Sequence, residues 1–328
     1  MKLINKIKAK IFALVFWQTN LGDYVNKIYD IKIFIKYSFK LSKLKSKENY
    51  EAYLTKQYHI IEKGLALPEP RFGFGKQKII ELITITNQYL NIYGNTRLIG
   101  SIKNTLGEYI ILNNKLIDTD NDFYNQIDFF LKDNITESQG GTKNFTLKDI
   151  DNATDINFQN FLESRTSVRD FSSESVDNDE IKKAIFLARN TPSVCNRQSW
   201  KAHLITDQEL KNKLLIIQNG NNGFTNSINK LLIITTDAKK FTKLESNQIF
   251  VDGGLFAMNV LLSLHASKIA SCCLNTCLPF VTEKEIKKIA NISDSERLIM
   301  MIGIGKYKDV FKVAFSEKLS VEEILIIH

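Results

Sequence analysis

Cysteine, arginine near the start, and long apolar runs are all scarce in this chain of 328 residues. It has 4 Cys; Cys272, Cys273 and Cys277 crowd together while Cys195 stands apart. That is not the paired framework of a small secreted domain, and it suits a reducing cytoplasm. The C-C-x-x-x-C run also lacks the C-x-x-C spacing of structural zinc sites and has no His in its turn, so no metal is expected. No run of about 18 apolar residues exists, which argues against a transmembrane helix. The apolar stretch 11–17 is too short for one. Lys2, Lys6, Lys8 and Lys10 imitate the basic region of a signal peptide, yet no small-residue cleavage site follows Trp17. The stretch reads as an amphipathic or buried helix. Gly303 and Gly305 form only a G-x-G, too little for a dinucleotide loop, and strand packing explains them. No internal repeat or low-complexity tract is present.

Positive charge is present in excess, and it is local. The formal net charge is +8, and residues 1–64 hold 13 Lys, no Arg and 5 acidic residues, which accounts for all of it. A uniformly basic chain would suggest nucleic acid; a neutral C-terminal half with a basic head does not. The head suits an anionic membrane surface, an acidic partner, or merely a solvated lysine face.

Residues 1–150 carry mostly helical periodicity, as at Ile79, Ile80, Leu82 and Ile83 leading to Tyr89 and Leu90. Within them the Gly- and Pro-rich stretch 64–75 reads as an ordered loop or an interdomain strap. Residues 133–153 turn polar around Gly140 and Gly141, marking a boundary between an extension, 1–150, and a domain, 155–328. Beyond it, Asp177 and Glu180 form a capping-box pattern opening a helix over 178–190. Residues 231–236 read as a strand, 249–267 as a long apolar helix, a helix opens at Thr282 with Glu285, and 298–304 read as a buried strand. The class is α+β.

Two segments carry candidate chemistry. In Arg165-Thr-Ser-Val-Arg-Asp-Phe171 two guanidinium groups flank two hydroxyls, a set of donors suited to phosphate oxygens. An Arg pair also serves as a surface ion-pair element. In Thr191-Pro-Ser-Val-Cys-Asn-Arg-Gln-Ser-Trp200, the amides of Asn196 and Gln198 offer the mixed donors and acceptors that the edge of a flat heterocycle needs. Alternatively they satisfy loop backbone, with Trp200 as core. His203 and His265 sit among apolar residues and read as hydrogen-bonded core or interface histidines.

The order of these pieces resembles the nitroreductase family, which shows Arg-x-Ser-x-Arg-x-Phe, a helix, then Pro-Ser-x-x-Asn-x-Gln-Pro-Trp. Arg165, Ser167, Arg169 and Phe171 match the first element; Pro192, Ser193, Asn196, Gln198 and Trp200 match the second, with Ser199 replacing proline. The long helix with Gly253, Gly254 and Ala257, the run Ala270-Ser-Cys-Cys-Leu-Asn-Thr276, the strand around Gly303 and Gly305, and Ser316 with Lys318 are similar to later family pieces. The resemblance implies an α+β fold, a mixed or antiparallel sheet flanked by helices behind a mostly helical N-terminal extension. It implies a homodimer with FMN at the interface. Arg165, Thr166, Ser167, Arg169, Ser316 and Lys318 would then surround the phosphate and ribityl chain. Pro192, Ser193, Asn196 and Gln198 would line the flavin, in part from the partner subunit. Cys273, Leu274, Asn275 and Thr276 would lie along the isoalloxazine with a backbone N–H near N5. The implied activity is ping-pong hydride transfer from NAD(P)H through N5 to a small oxidised acceptor, with no side-chain nucleophile. The alternative is a flavin-binding interaction module without turnover. Residues 59–75 resemble an extension preceding the nitroreductase domain in some bacterial proteins, several from surface-polysaccharide gene sets. There His59, Glu62, Lys63 and Arg71 either form a substrate lid or fasten the extension. Residues 1–50 hold none of these flavin positions, and their deletion is expected to spare FMN binding.

Overall fold

The computed structural model describes residues 19–40, 43–67, 69–119, 121–132, 138–144, 156–218, 220–311, 313–314 and 318–328. Ser316, Pro68, the apolar stretch 11–17 and most of the 133–153 boundary lie outside them.

The first half is helical: α1 (Asn20–Tyr37), α2 (Lys47–Leu65), α3 (Lys76–Tyr93), α4 (Arg97–Leu112) and α5 (Asn121–Leu131). Thr19 and Ser46 cap α1 and α2, their side chains accepting from Gly22 N and Asn49 N. The periodic apolar residues meet in one core, where Leu54, Ile61, Ile79, Leu82, Tyr89 and Tyr109 are almost fully buried. Of the stretch 64–75, Gly73 and Phe74 are tied to α4 and the turn after it. Tyr109 Oη donates to Phe74 O at 2.8 Å, and Gly73 N donates to Asn113 Oδ1 at 2.6 Å. His59 and Glu62 make their contacts within the extension itself. Their side chains meet at 3.0 Å, and Glu62 Oε1 accepts from Gly141 N at 3.2 Å.

The second half comprises α6 (Phe158–Ser164), α7 (Asn178–Ala188), β1 (Trp200–Ile205), α8 (Gln208–Ile217), β2 (Lys230–Asp237), α9 (Gln248–Ala266), β3 (Ile269–Leu274), α10 (Phe280–Ile289), β4 (Glu296–Lys306) and the short α11 (Val321–Ile324). The strands form one sheet in the order β1-β2-β4-β3, antiparallel throughout. The fold is therefore α+β with helices on both faces. β2 shows why its run is continuously apolar: Leu231 and Ile233 pack with Leu214, Leu215 and Ile286, whereas Leu232 and Ile234 pack with Ala257, Val260 and Leu264. The Asp177–Glu180 capping box is present, and α7 starts at Asn178. β1 and α8 are additional to the sequence reading. The helix expected at Thr282 begins earlier, because Pro279, with φ −54°, caps it, and the first-turn N–H of Phe280 donates to Asn26 Oδ1 at 2.8 Å.

Helix α9 is the one described helix long and apolar enough to cross a membrane, and half of that window is buried against the sheet. Phe256, Val260, Leu261 and Leu264 contribute about 1.5 to 3 kcal/mol each by that burial. The two expected packing glycines divide their roles. A Cβ on Gly253 would stand 2.6 Å from Ile299 Cγ1 of β4, so this glycine serves the chain's own sheet, while Gly254 faces open space.

Helix α1 is not a detachable head. Tyr29, Ile33 and Phe34 share a core with Ala238, Phe241 and Ile249. Arg297 of β4 reaches Asp30 at 2.6 Å and Glu283 of α10 at 2.8 Å. Tyr29 stacks on Phe280, and burial, aided by the Glu283 charge, pushes its phenol up to about 12. Deleting residues 1–50 would strip all of this packing from the domain.

Candidate functional site

The segment 165–171 continues from α6 along the outer edge of β3. Val168 N donates to Ser271 O at 3.0 Å, and Ser172 N donates to Lys306 O at 3.0 Å. Alternation does the rest: Val168 and Phe171 turn inward and are buried, leaving Arg165 half-buried and Arg169 exposed. A Cβ on Gly305 would stand 2.6 Å from Phe171 Cβ, so glycine at that position lets the segment lie flat on β4. Among the described residues neither arginine has a carboxylate partner. Asp170 pairs with Lys308, and Arg169 reaches only Ser167 O at 3.4 Å.

These arginines lie close enough to β3 to act on its thiols. Burial pushes Cys273 up, with Arg165 and Arg169 opposing; burial also raises Cys272, against Arg169. Both therefore stay protonated near neutrality and are poor nucleophiles. His265, at the end of α9, contacts Ser164 Oγ at 2.9 Å through Nε2 and Tyr307 Oη at 2.9 Å through Nδ1. Burial, helped by the Arg165 charge, lowers its pKa and keeps it neutral. His203 is equally committed, meeting Glu296 at 2.7 Å and Thr235 at 3.2 Å.

The loop 191–199 is held at the other end of α9. Cys195, Asn196 and Gln198 adopt φ of 51°, 52° and 48°, the left-handed region that non-glycine residues enter only when their surroundings impose it. Two residues impose it here. Asp252, fully buried, accepts from Val194 N, and Arg197 reaches Glu245 at 2.8 Å and Val194 O at 3.1 Å. Ser193 Oγ accepts from Gln198 N at 3.0 Å, and the Gln198 amide lies 3.3 Å from Asn196 Oδ1. Helix α2 packs against the Val194–Asn196 turn, so the N-terminal extension backs this loop. Arg197 and Asp252 escaped the sequence reading, although a carboxylate inside so apolar a helix was a visible signal.

After β3 the chain turns into α10. Leu274 is buried and Asn275 exposed; Asn275 Oδ1 accepts from Cys277 N at 3.0 Å, while Thr276 Oγ1 donates to Ile299 O at 3.1 Å. The structure thus brings Arg165, Thr166, Ser167 and Arg169 to the β3 edge beside Cys273. Pro192, Ser193, Asn196 and Gln198 gather at the start of α9. Lys318 is exposed, and among the described residues no hydrogen bond or ion pair joins it to either arginine.

An α+β domain with an arginine-bearing segment on its edge strand is the class that fold and site define. Residues 162–217 match the model of the nitroreductase family, a stretch that includes both sequence motifs but neither the β3 turn nor the C-terminal end. The chain is similar to a nitroreductase family protein from Streptococcus pneumoniae at 21% identity, over 52% of this chain and 100% of that one, with TM-score 0.44. It is similar to an FMN-dependent nitroreductase from Clostridium difficile at 21% identity, over 48% and 91% of the two chains, with TM-score 0.42. No curated protein matches the chain.

Proposed function

We propose that the C-terminal half binds FMN and acts as an NAD(P)H-dependent oxidoreductase. The observation that carries this reading is the pair Arg165 and Arg169, held beside Cys273 with no carboxylate partner for either among the described residues. Two free guanidinium groups with the Thr166 and Ser167 hydroxyls between them suit a phosphate monoester. The family match over 162–217 supports the same reading.

Arg165, Thr166, Ser167 and Arg169 would hold the phosphate and ribityl chain, and the resemblance adds Ser316 and Lys318 to them. Cys273, Leu274, Asn275 and Thr276 would line the ring, and Pro192, Ser193, Asn196 and Gln198 would present amides and hydroxyls to its polar edge. FMN, when bound, supplies the hydride chemistry. The chain itself orients and excludes water; with His203 and His265 both committed, no side chain is assigned as acid or nucleophile. With FMN bound, the cycle would be ping-pong, NAD(P)H leaving the site before a nitro compound, quinone or other oxidised acceptor enters.

The working unit is a homodimer. Phe250, Val251, Leu255 and Met258 leave an apolar stripe on α9 between 43% and 50% exposed, with Gly254 open beside it. Such a stripe on a core helix suits a second copy. The four free cysteines suit the cytoplasm.

The deciding experiment is to purify the protein, record its visible spectrum, and mix it anaerobically with NADH and with NADPH. Bleaching of bound flavin is expected. FMN retained without bleaching would leave a binding module, and a colourless protein that takes up no FMN would overturn the reading.

A further inference from the structure

The most unusual concentration of charge lies away from the arginine segment, where the extension meets the domain. A cavity of about 450 Å³ opens between the end of α1, the chain leading to α2, the first turn of α2, and the segment after β2. Its lining contains Lys36, Lys40, Lys43, Lys45, Lys239 and Lys243 and, among the described residues, no Asp or Glu. These lysines come from segments about 200 positions apart, so only folding collects them.

Among the described residues, little neutralises this charge. Lys239 pairs with Glu48 at 3.1 Å, and Lys243 donates to Ile35 O at the end of α1. Lys40, Lys43 and Lys45 have no ion-pair partner among the described residues. Lys40 and Lys43 also stand opposite each other in an antiparallel bridge, a placement that disfavours like charges. Burial lowers the Lys243 pKa, and the charges of Lys40 and Lys45 lower it further. The floor is built, since Asn49, 3% exposed, donates to Lys239 O at 2.7 Å and accepts from Lys45 N at 3.2 Å. Ser46 and Asn49 also place the positive end of α2 at the cavity wall.

We propose that this cavity binds an anion carrying more than one phosphate charge, as a soluble diphosphate or a phospholipid headgroup. Mutual repulsion of lysines around a concavity is relieved by an anion, whereas a merely solvated lysine face would spread the charges apart. The volume exceeds that of one phosphate and falls in the range of small-ligand sites. Ammonium groups without a guanidinium fork favour point-charge contacts to phosphate oxygens. Because the lysines come from both sides of the junction, the bound anion would clamp α1 and α2 to the domain. This inference is independent of the flavin reading.

The test uses the full chain with excess FMN present and ionic strength held constant with chloride. Pyrophosphate is titrated by calorimetry into the parent and into a Lys43→Glu/Lys45→Glu double variant. Both side chains are exposed, so the fold should survive, and circular dichroism with melting temperature checks that; Lys43→Gln/Lys45→Gln serves as a milder second variant. The parent should bind and melt at a higher temperature with pyrophosphate, and each lost lysine contact should weaken binding about tenfold. Co-sedimentation with phosphatidylcholine vesicles, with and without phosphatidic acid, identifies a lipid source. Binding to pyrophosphate alone marks a soluble ligand, and phosphatidic-acid-dependent sedimentation lost in the double variant marks a headgroup. If the parent binds neither probe, or the double variant binds as the parent does, the cavity is not an anion site. Loss of flavin by Arg165 variants with pyrophosphate binding intact would separate failure of the flavin reading from failure of this one.

Discussion

Asp252, one turn into the core helix α9, accepts the backbone N–H of Val194 with both carboxylate oxygens at 3.3 Å. Gln248 adds its amide to the same carboxylate at 2.8 Å. Burial raises the Asp252 pKa against those hydrogen bonds, so the carboxylate is retained at a cost and in return fixes the left-handed loop beside it. Asp252→Ala should destabilise the protein by about 1 to 3 kcal/mol, through two donors left without an acceptor, and should lower its FMN content. Asp252→Asn keeps one acceptor and should lose less. Urea unfolding and flavin stoichiometry measure both effects; an Ala variant as stable as the parent would detach the loop from α9.

The arginine segment predicts a difference between two ligands. Arg165→Glu or Arg169→Glu should weaken FMN by about 1.5 to 3 kcal/mol or more, through loss of charge-assisted bonds to phosphate. Riboflavin, which lacks the phosphate, should bind the variants and the parent alike. Arg→Lys should be milder, since the charge stays while the fork is lost. Glu variants that purify with a full complement of FMN would remove these residues from the site.

Acid should unfold the protein partly through Glu296. Its carboxylate, 2% exposed, joins three strands: Lys201 and His203 of β1, Thr235 of β2, and its own β4. Burial works to raise its pKa, but the hydrogen bonds from His203, Lys201 and Thr235 outweigh it and hold the group at about 2 rather than 4.5. The folded pKa lies below the unfolded one, so the stabilisation is complete above about pH 4.5 and disappears as pH falls through about 2. Its size is on the order of 3 kcal/mol at most. Glu296→Gln should flatten that part of the stability curve between pH 5 and pH 2, followed by fluorescence in urea; an unchanged curve would contradict the assignment.

At the junction of α1 with the domain, the two ends of one ion pair should not be equivalent. Arg297 is nearly buried and serves both Asp30 and Glu283, whereas Asp30 is 27% exposed along its side chain. Arg297→Ala takes one of two cations from the buried Glu283, which keeps Lys287 at 2.8 Å, and should cost about 1 to 3 kcal/mol. Asp30→Ala should cost about 1 kcal/mol or less. Equal losses would mean that Arg297 is held chiefly by α1.

The stripe on α9 predicts assembly. Leu255→Glu with Met258→Glu should leave the monomer folded, because both side chains point away from the sheet, and should abolish the dimer. Light scattering at micromolar concentration reads the mass, and a parent that is monomeric while loaded with FMN would sink the homodimer.

Local chemistry in the chain was enough to determine much of this protein. Helical spacing marked the first half and α9, the Asp177–Glu180 box marked the start of α7, a β-branched run marked β2 and a short apolar run marked β4, because each signal depends on residues within a few positions of one another. The two motifs were also legible as donor sets. Tertiary structure alone decided what those donors face: that Arg165 and Arg169 lie beside Cys273 without a carboxylate partner among the described residues, that Arg197 and Asp252 brace the amide loop, and that α1 is core rather than tail. β1 was hidden because His203 and Lys201 interrupt its apolar pattern, and only pairing with Glu296 two strands away makes them stable there. The lysine cavity is the extreme case. Lys40 and Lys243 have no relation along the chain, and their repulsion arises only when the extension and the domain close on one another.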